Sequence, residues 1–441
     1  MNKRLRSAVG QVCGTILMLI VALAVGAVLV AISGNSPAEA YLTMLNGAFG
    51  SPQKISEVFV KLIPILLMAF GTSVAFRAKL WNIGASGQFI MGSVAATAVA
   101  LYVQVPIALR VPLSFAAALV AGALWAGIAG LLKVKFNANE VITTLMLNYI
   151  ATYFLLYLVN GPMQDPSSDL SQSALVPEEM KLTRLFGTYR LHSGIFLLLI
   201  VVAIMLFFWR TSLGYRIDLV GQGRKVATYA GLPVDRTIII TMLISGLLSG
   251  LAGWIETFGI QYRILDGIEA NYGDISNIIA LLGELNPVGI IASALFFAVL
   301  LVGGASMQRM TDVPYSVVDV VQGLIIIFVV AVFLAFATGT SWGTFGILIP
   351  ITIAIFGDMG GQVMVLTVAA VLAGAVCGDH ISPISDTTIL ASTGANCNHI
   401  EHVSTQMPYA LLVAACCLIG HLVAGVTPHG WLGLGVGCVQ L

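Results

Sequence analysis

The sequence predicts an all-α fold: a polytopic integral membrane helical bundle with about nine to ten spans up to residue 334 and about three beyond it. Three observations carry this expectation. Hydrophobic residues make up 58% of the chain and charged residues only 9%, where a soluble domain has about a quarter charged. The mean hydropathy is +0.98. The apolar residues fall in runs long enough to cross about 30 Å of hydrocarbon, separated by short polar stretches. Cys13, Cys377, Cys416 and Cys417 lie inside such runs, where a thiol acts as a small hydrophobe, which argues against a disulfide scaffold.

Taken in order, Lys3, Arg4 and Arg6 precede an apolar run over 12–32. It is too long for the core of a signal peptide and predicts an uncleaved first helix with its N-terminus in the cytoplasm. Further spans are expected at 60–76, 84–104, 112–132, 141–160, 193–209, 237–257, 274–304 and 315–335. Alternating them puts Arg77, Lys79, Lys133, Lys135, Arg309 and the segment Arg210–Arg236 on the cytoplasmic side, in accord with the positive-inside rule. The stretch 274–304 is long for one span and is interrupted by Gly283, Asn286-Pro287 and Gly289, the pattern of a discontinuous helix. The segment Asn160–His192 is polar, rich in proline and external.

Arg210–Arg236 is the longest cationic segment between two apolar runs. Within it Lys225–Gly231 predicts a short helix ended by Gly231, with Pro233 as a stop signal beyond. Such a helix is either a lever for a soluble partner or a solvated loop that sets topology. Uncharged polar residues recur at span ends: Asn82, Gly84, Ser86, Gly87 and Gln88 open the third span, and Asn137–Glu140 caps the fifth, which carries Asn148. Asp319 and Gln322 lie three apart in the 315–335 run. Such groups either hold helices together or line a polar path. Gly246, Gly250 and Gly253 read as helix packing.

Residues 1–334 resemble the permease subunit of an ABC importer, in the branch that moves nucleosides and simple sugars. The resemblance rests on WNIGASGQ (Trp81–Gln88), NANEVITTLMLNYIA (Asn137–Ala151), GYRIDLVGQGRKVATYAGL (Gly214–Leu232), ALLGELNPVGII (Ala280–Ile291) and VPYSVVDVVQGLIIIFV (Val313–Val329). It implies that Arg224, Lys225, Val226, Ala227, Tyr229 and Gly231 form the coupling helix for a separate ATPase subunit. It also implies a substrate path past Asn82, Gly84, Gln88, Glu140, Asn148, Asp319 and Gln322. The implied partners are that ATPase, a second permease subunit as homo- or heterodimer, and an extracytoplasmic substrate-binding protein facing Asn160–His192. Membrane lipid surrounds the chain, nucleic acid is not expected, and the implied location is the bacterial inner membrane. DISNIIALLG (Asp274–Gly283) departs from a more glycine-containing family stretch. The chain carries no Walker A pattern, so ATP and Mg2+ are expected in the partner and no cofactor in this chain. It is expected to be a transport protein rather than an enzyme.

Beyond Arg309 there is no Lys or Arg, while five of the six histidines and five of the six cysteines lie there. GDHISPISDTT (Gly378–Thr388) and GANCNHIEHVSTQMPYALLVA (Gly394–Ala414) resemble the C-terminal end of NhaC-type Na+/H+ antiporters. Two carboxylates, hydroxyls and a proline in one segment suit an unwound helix with hard oxygen ligands. The candidate ion site is Asp379, Ser382, Ser385, Asp386 and Thr387, with Na+ as the ion. Cys397, His399 and His402 have the chemistry of metal ligands but read as a solvated loop, so no metal site is expected. The seam between 1–334 and 335–441 falls at Val330–Ala337 without a polar linker. The alternative functions are therefore Na+/H+ antiport by the second module, or a hybrid chain in which that module is inactive.

Overall fold

The computed structural model describes residues 36–310, 331, 335, 339–356, 361–382, 385–395 and 397–426. The expected spans at 12–32 and 315–335, with Asp319, Gln322 and most of the seam, lie outside the described residues. The described part is helical, and its extended backbone is confined to three isolated bridges. Among the described residues six helices are long and apolar enough to cross a membrane, or seven if one bent pair counts as a single span. The chain divides into two compact units, Ala48–Val302 and Met1–Gly47 with Gly303–Leu441.

α1 (Pro37–Phe49) lies almost wholly outside Ala48–Val302, and within that unit α2 (Pro52–Arg77), α3 (Ala85–Tyr102), α4 (Ile107–Phe136), α5 (Glu140–Val159) and α6 (Gly194–Phe208) follow. Ser51 caps α2 by accepting from the Lys54 N–H at 3.3 Å, with Pro52 at the first helical position. α4 ends on Asn137 in the left-handed conformation, and Asn139 caps α5 by accepting from the Val141 N–H. The Asn137–Glu140 corner thus forms as expected.

After α6 the chain bends by 64° into α7 (Ser212–Gln222), capped by Thr211. A six-residue helix follows, α8 (Arg224–Tyr229), and then α9 (Val234–Glu256). The short helix stands where the sequence predicts one; α7 was not anticipated. The stretch 274–304 divides into α10 (Tyr272–Leu282) and α11 (Pro287–Met310). Between them Glu284 and Leu285 take positive φ, and the chain folds so sharply that Gly283 touches Gly289 and Ile290.

α9 is the centre of this unit and packs against α2, α3 and α4. Its Gly246, Gly250 and Gly253 let main chains meet without intervening side chains. A β-carbon on Gly246 would collide with the Gly122 carbonyl of α4, and one on Gly250 with the Ala118 carbonyl. On α3, a β-carbon at Gly92 would lie 2.6 Å from the Gly250 Cα. Backbone cannot rotate out of the way, so the crossing tolerates nothing larger than hydrogen. Trp254 closes the same interface, donating to Ser114 at 3.1 Å.

At its C-terminal end α9 runs into a π-helical turn, Thr257–Gln261. The wider turn leaves the Phe258 carbonyl available, and the Leu182 N–H donates to it at 2.9 Å. Ser173 and Val176 likewise bond Ile264 and Tyr262. Asn160–His192 is therefore tied down along the segment that follows α9. His192 is buried, accepts from the Gly194 N–H at 3.2 Å and lies against Gly259. Burial, with the Arg190 charge nearby, pushes its pKa down from 6.5 to about 4.

In the second unit α12 (Ser341–Phe356), α13 (Gly361–Ile381), α14 (Asp386–Gly394) and α15 (His399–Val426) follow in order. α13 packs on α12, α14 and α15.

Gly246→Val is expected to lower stability by about 3 kcal/mol or more, because the obstacle it meets is main chain. Thermal unfolding in detergent checks this, and a wild-type melting temperature would refute it. For His192, an unfolded chain binds a proton between pH 6.5 and about 4 that the folded chain does not. Stability is expected to fall by about 3 kcal/mol as pH drops through that window, and His192→Asn to flatten the profile.

Candidate functional site

The segment between α2 and α3 is not helical, and its position dictates its chemistry. An irregular backbone inside a membrane bundle needs protein partners for its N–H and C=O groups. Asn82 is fully buried; its amide donates to Ser245 near the middle of α9 at 2.8 Å and to Gln88 at 3.3 Å. Gln88 returns a bond to the Asn82 carbonyl oxygen at 2.9 Å, and the Gly84 N–H donates to the same oxygen at 3.0 Å. From α5, Asn148 donates to the Ile83 carbonyl and accepts from the Gly87 N–H, both at 2.9 Å. Thr144 accepts from the Ile83 N–H at 3.2 Å. A β-carbon on Gly84 would lie 3.0 Å from the Asn82 oxygen, so the glycine admits the hub.

The structure thus brings Asn82, Gly84, Gln88 and Asn148 together as one hub whose amides bond each other, Ser245 and the local backbone. Glu140 stands apart, paired with Lys133 at 2.6 Å at the α4–α5 corner. The hub has a neighbour that the motifs do not name. Ser86 donates to Glu269 at 3.1 Å, and Gly273 packs on Ser86. Glu269 lies in the loop before α10, where burial raises its carboxyl above the usual range against the opposing Ser86 hydrogen bond. Nearby on α10, the Tyr272 hydroxyl accepts from Lys61 at 2.6 Å. Nothing in Asp266–Asn271 marks this approach in sequence, because the contact is long-range and made by one side chain.

At the same C-terminal end of α2, α7 meets the bundle and leads into α8. Ala227 is fully buried and roots α8, while Arg224, Lys225 and Val226 are exposed and Tyr229 is 97% exposed. Gly231 takes a left-handed φ of 75°, and the Leu232 N–H returns to the Ala227 carbonyl at 3.0 Å. A cleft of about 330 Å³ lies beside the junction of α7 and α8, lined by Lys79, Lys133, Glu140, Gly221 and Arg224 among others.

In the second unit the chain breaks between α13 and α14. Asp379 is buried beside the break, accepting from Ser385 at 2.8 Å and from Thr387 at 3.4 Å. Ser382 is buried too, and its carbonyl accepts from Thr388 at 2.7 Å. Asp386 opens α14, and its side chain lies outside the described residues. Four of the five candidate ion-site residues are therefore gathered around one carboxylate or the break beside it. His399 bonds Ser392 at 3.0 Å, and among the described residues no group of His, Cys, Asp or Glu is arranged to hold a metal.

The family described as the branched-chain amino acid transport system permease component matches residues 54–330, and the Na+/H+ antiporter family matches 279–426. A glucose ABC transporter permease protein of Haloferax volcanii is 34% identical over 326 residues, 71% of this chain and 86% of that one. A guanosine ABC transporter permease protein of Bacillus subtilis is 34% identical over 319 residues, 71% of this chain and 91% of its own length. A nucleoside ABC transporter permease protein of Lactococcus lactis is 31% identical over 320 residues, 70% of this chain and 88% of that one. No solved structure matches the chain. With membrane-length helices, a rooted short helix between α7 and α9, and these relatives, the chain belongs to the permease-component family of multi-pass membrane transport proteins.

Proposed function

We propose that this chain is the transmembrane subunit of an ATP-driven importer for nucleosides or simple sugars. The observation that carries the reading is α8, a six-residue helix rooted by buried Ala227 that presents Arg224, Lys225, Val226 and Tyr229 outward. A rooted helix with an exposed, mixed cationic and apolar face suits a soluble partner that pushes on it. The relatives named for glucose, guanosine and nucleoside transport support the solute class. Neutral amides in the hub suit a hydroxylated, uncharged solute better than an ion.

In this reading the ATPase binds ATP and Mg2+ and closes against α8 on the cytoplasmic side. A second permease subunit, identical or related, completes the path with Asn82, Gly84, Gln88, Asn148, Glu140, Asp319 and Gln322. A substrate-binding protein docks on Asn160–His192 from outside. The N-terminus is cytoplasmic in the bacterial inner membrane, and residues 1–334 carry nine to ten crossings. Residues 335–441 form an antiporter-like fragment.

A second reading has its own observation: the buried Asp379 with the hydroxyls of Ser385 and Thr387 at a helix break has the oxygen chemistry of a Na+ site.

Coexpressed with its ATPase, the full chain is expected to copurify with it. Lys225→Glu with Tyr229→Ala should lower uptake per ATP hydrolysed by about tenfold or more, with stability within about 0.5 kcal/mol because both side chains are exposed. Unchanged coupled uptake would refute the importer reading. For the second reading, proteoliposomes holding the chain without an ATPase should exchange Na+ for protons, and Asp379→Asn should abolish the exchange. Failure of the unmodified chain to exchange would remove that reading.

A further inference from the structure

We propose that Gly221 is a positioning residue that latches the coupling element to the end of α2, so that displacement of α8 is delivered first to the α2–α3 connection and the polar hub it carries. The inference rests on the coupling role proposed for α8 and names the route by which that role is exerted.

Two contacts fix α7 to the last turn of α2. Gly221, next to the end of α7, is buried against main chain: a β-carbon there would overlap the Arg77 carbonyl oxygen and lie 3.3 Å from the Ala78 Cα. That obstacle is backbone and cannot rotate away. Before the start of α7, the Arg77 guanidinium lies 4.0 Å above the ring of Trp209, the residue that caps α6 at the bend. One residue of α2 is thus gripped through its carbonyl by the end of α7 and through its side chain by Trp209, at the bend before α7.

The two ends of α8 differ in slack. Toward α7, only Gly223 separates α8 from α7, and Gly221 lies just before it with no clearance. Toward α9, the chain passes through Gly231, where a β-carbon would meet nothing within 4 Å, before Pro233 and Val234. The connection from α8 to α7 is therefore a single residue beside a crowded contact with α2, whereas Ala230–Pro233 separate α8 from α9, and a push on α8 reaches the α2 side through the shorter path. Past Arg77 the chain needs only the turn at Ala78–Trp81 to reach Asn82, whose amide is bonded to Ser245, Gln88 and Gly84. Motion of the α2 end cannot be absorbed in so short and so fully bonded a segment.

The test uses the full chain copurified with its ATPase and reconstituted in proteoliposomes, reading ATP hydrolysed and solute taken up in the same sample. That ratio does not depend on how much protein is folded. Gly221→Ala is expected to keep the ATPase bound and hydrolysing while lowering uptake per ATP about tenfold or more. Trp209→Leu, which removes the ring under Arg77 without adding volume against the backbone, is expected to lower the ratio several-fold. Wild-type ratios in both variants would overturn the latch. Detachment of the ATPase by Gly221→Ala would overturn it too, since Gly221 would then belong to the docking face. Should Gly221→Ala fail to reach the membrane, Trp209→Leu decides alone: a several-fold loss supports the latch and an unchanged ratio overturns it. Unmodified chain that takes up solute without ATP would sink the importer reading itself, an outcome visible before any variant is made.

Discussion

The unit Ala48–Val302 depends on main chain meeting main chain where α9 crosses α3 and α4. Lipid tails are as apolar as leucine, so burial from water gives membrane helices little reason to adhere, and close packing has to supply it. Gly246 and Gly250 on α9 with Gly92 and Gly122 opposite bring backbones within van der Waals reach, which maximises dispersion contact and excludes alternatives by collision. The rest follows from that fixed crossing. Ser245 is adjacent to Gly246, so the position of Asn82 and the whole α2–α3 connection is referred to the same point.

Much of this was legible in the sequence because membrane helices announce themselves by composition. The expected runs 84–104 and 141–160 coincide closely with α3 and α5, whereas α2 starts well before 60 and 274–304 divides into two helices. The short helix before Gly231 was legible from local chemistry, a left-handed glycine followed by proline. The interruption at Asn286-Pro287 was legible from the proline, which suits the first position of a helix and not its interior. What escaped was long-range or mixed in character. Ser212–Gln222 is helical because its buried side, with Ile217, Val220 and Gly221, packs on the bundle, and Arg216 and Asp218 within a cationic segment hid that pattern. Asn160–His192 pairs with Phe258–Ile264 by backbone bonds, which leave no trace in side-chain alternation.

At the candidate sites, the motifs gave the right residues with an incomplete arrangement. Asn82, Gly84, Gln88 and Asn148 converge, but Glu140, adjacent to the same cap, turns to Lys133 instead. Sequence spacing fixes which residues share a helix end; it does not fix which neighbour a carboxylate chooses. Both units nevertheless treat a helix interruption alike, surrounding it with buried polar side chains: amides about Asn82, hydroxyls about Asp379. The difference is chemical: side-chain amides with the Ser245 and Thr144 hydroxyls fill one, and a carboxyl group with hydroxyls fills the other.

The bare ring of Tyr229, with Val226 beside it, has a further consequence for the cell. A copy assembled without its companion would carry an apolar knob in water, the kind of surface that holdases grip and proteases sample.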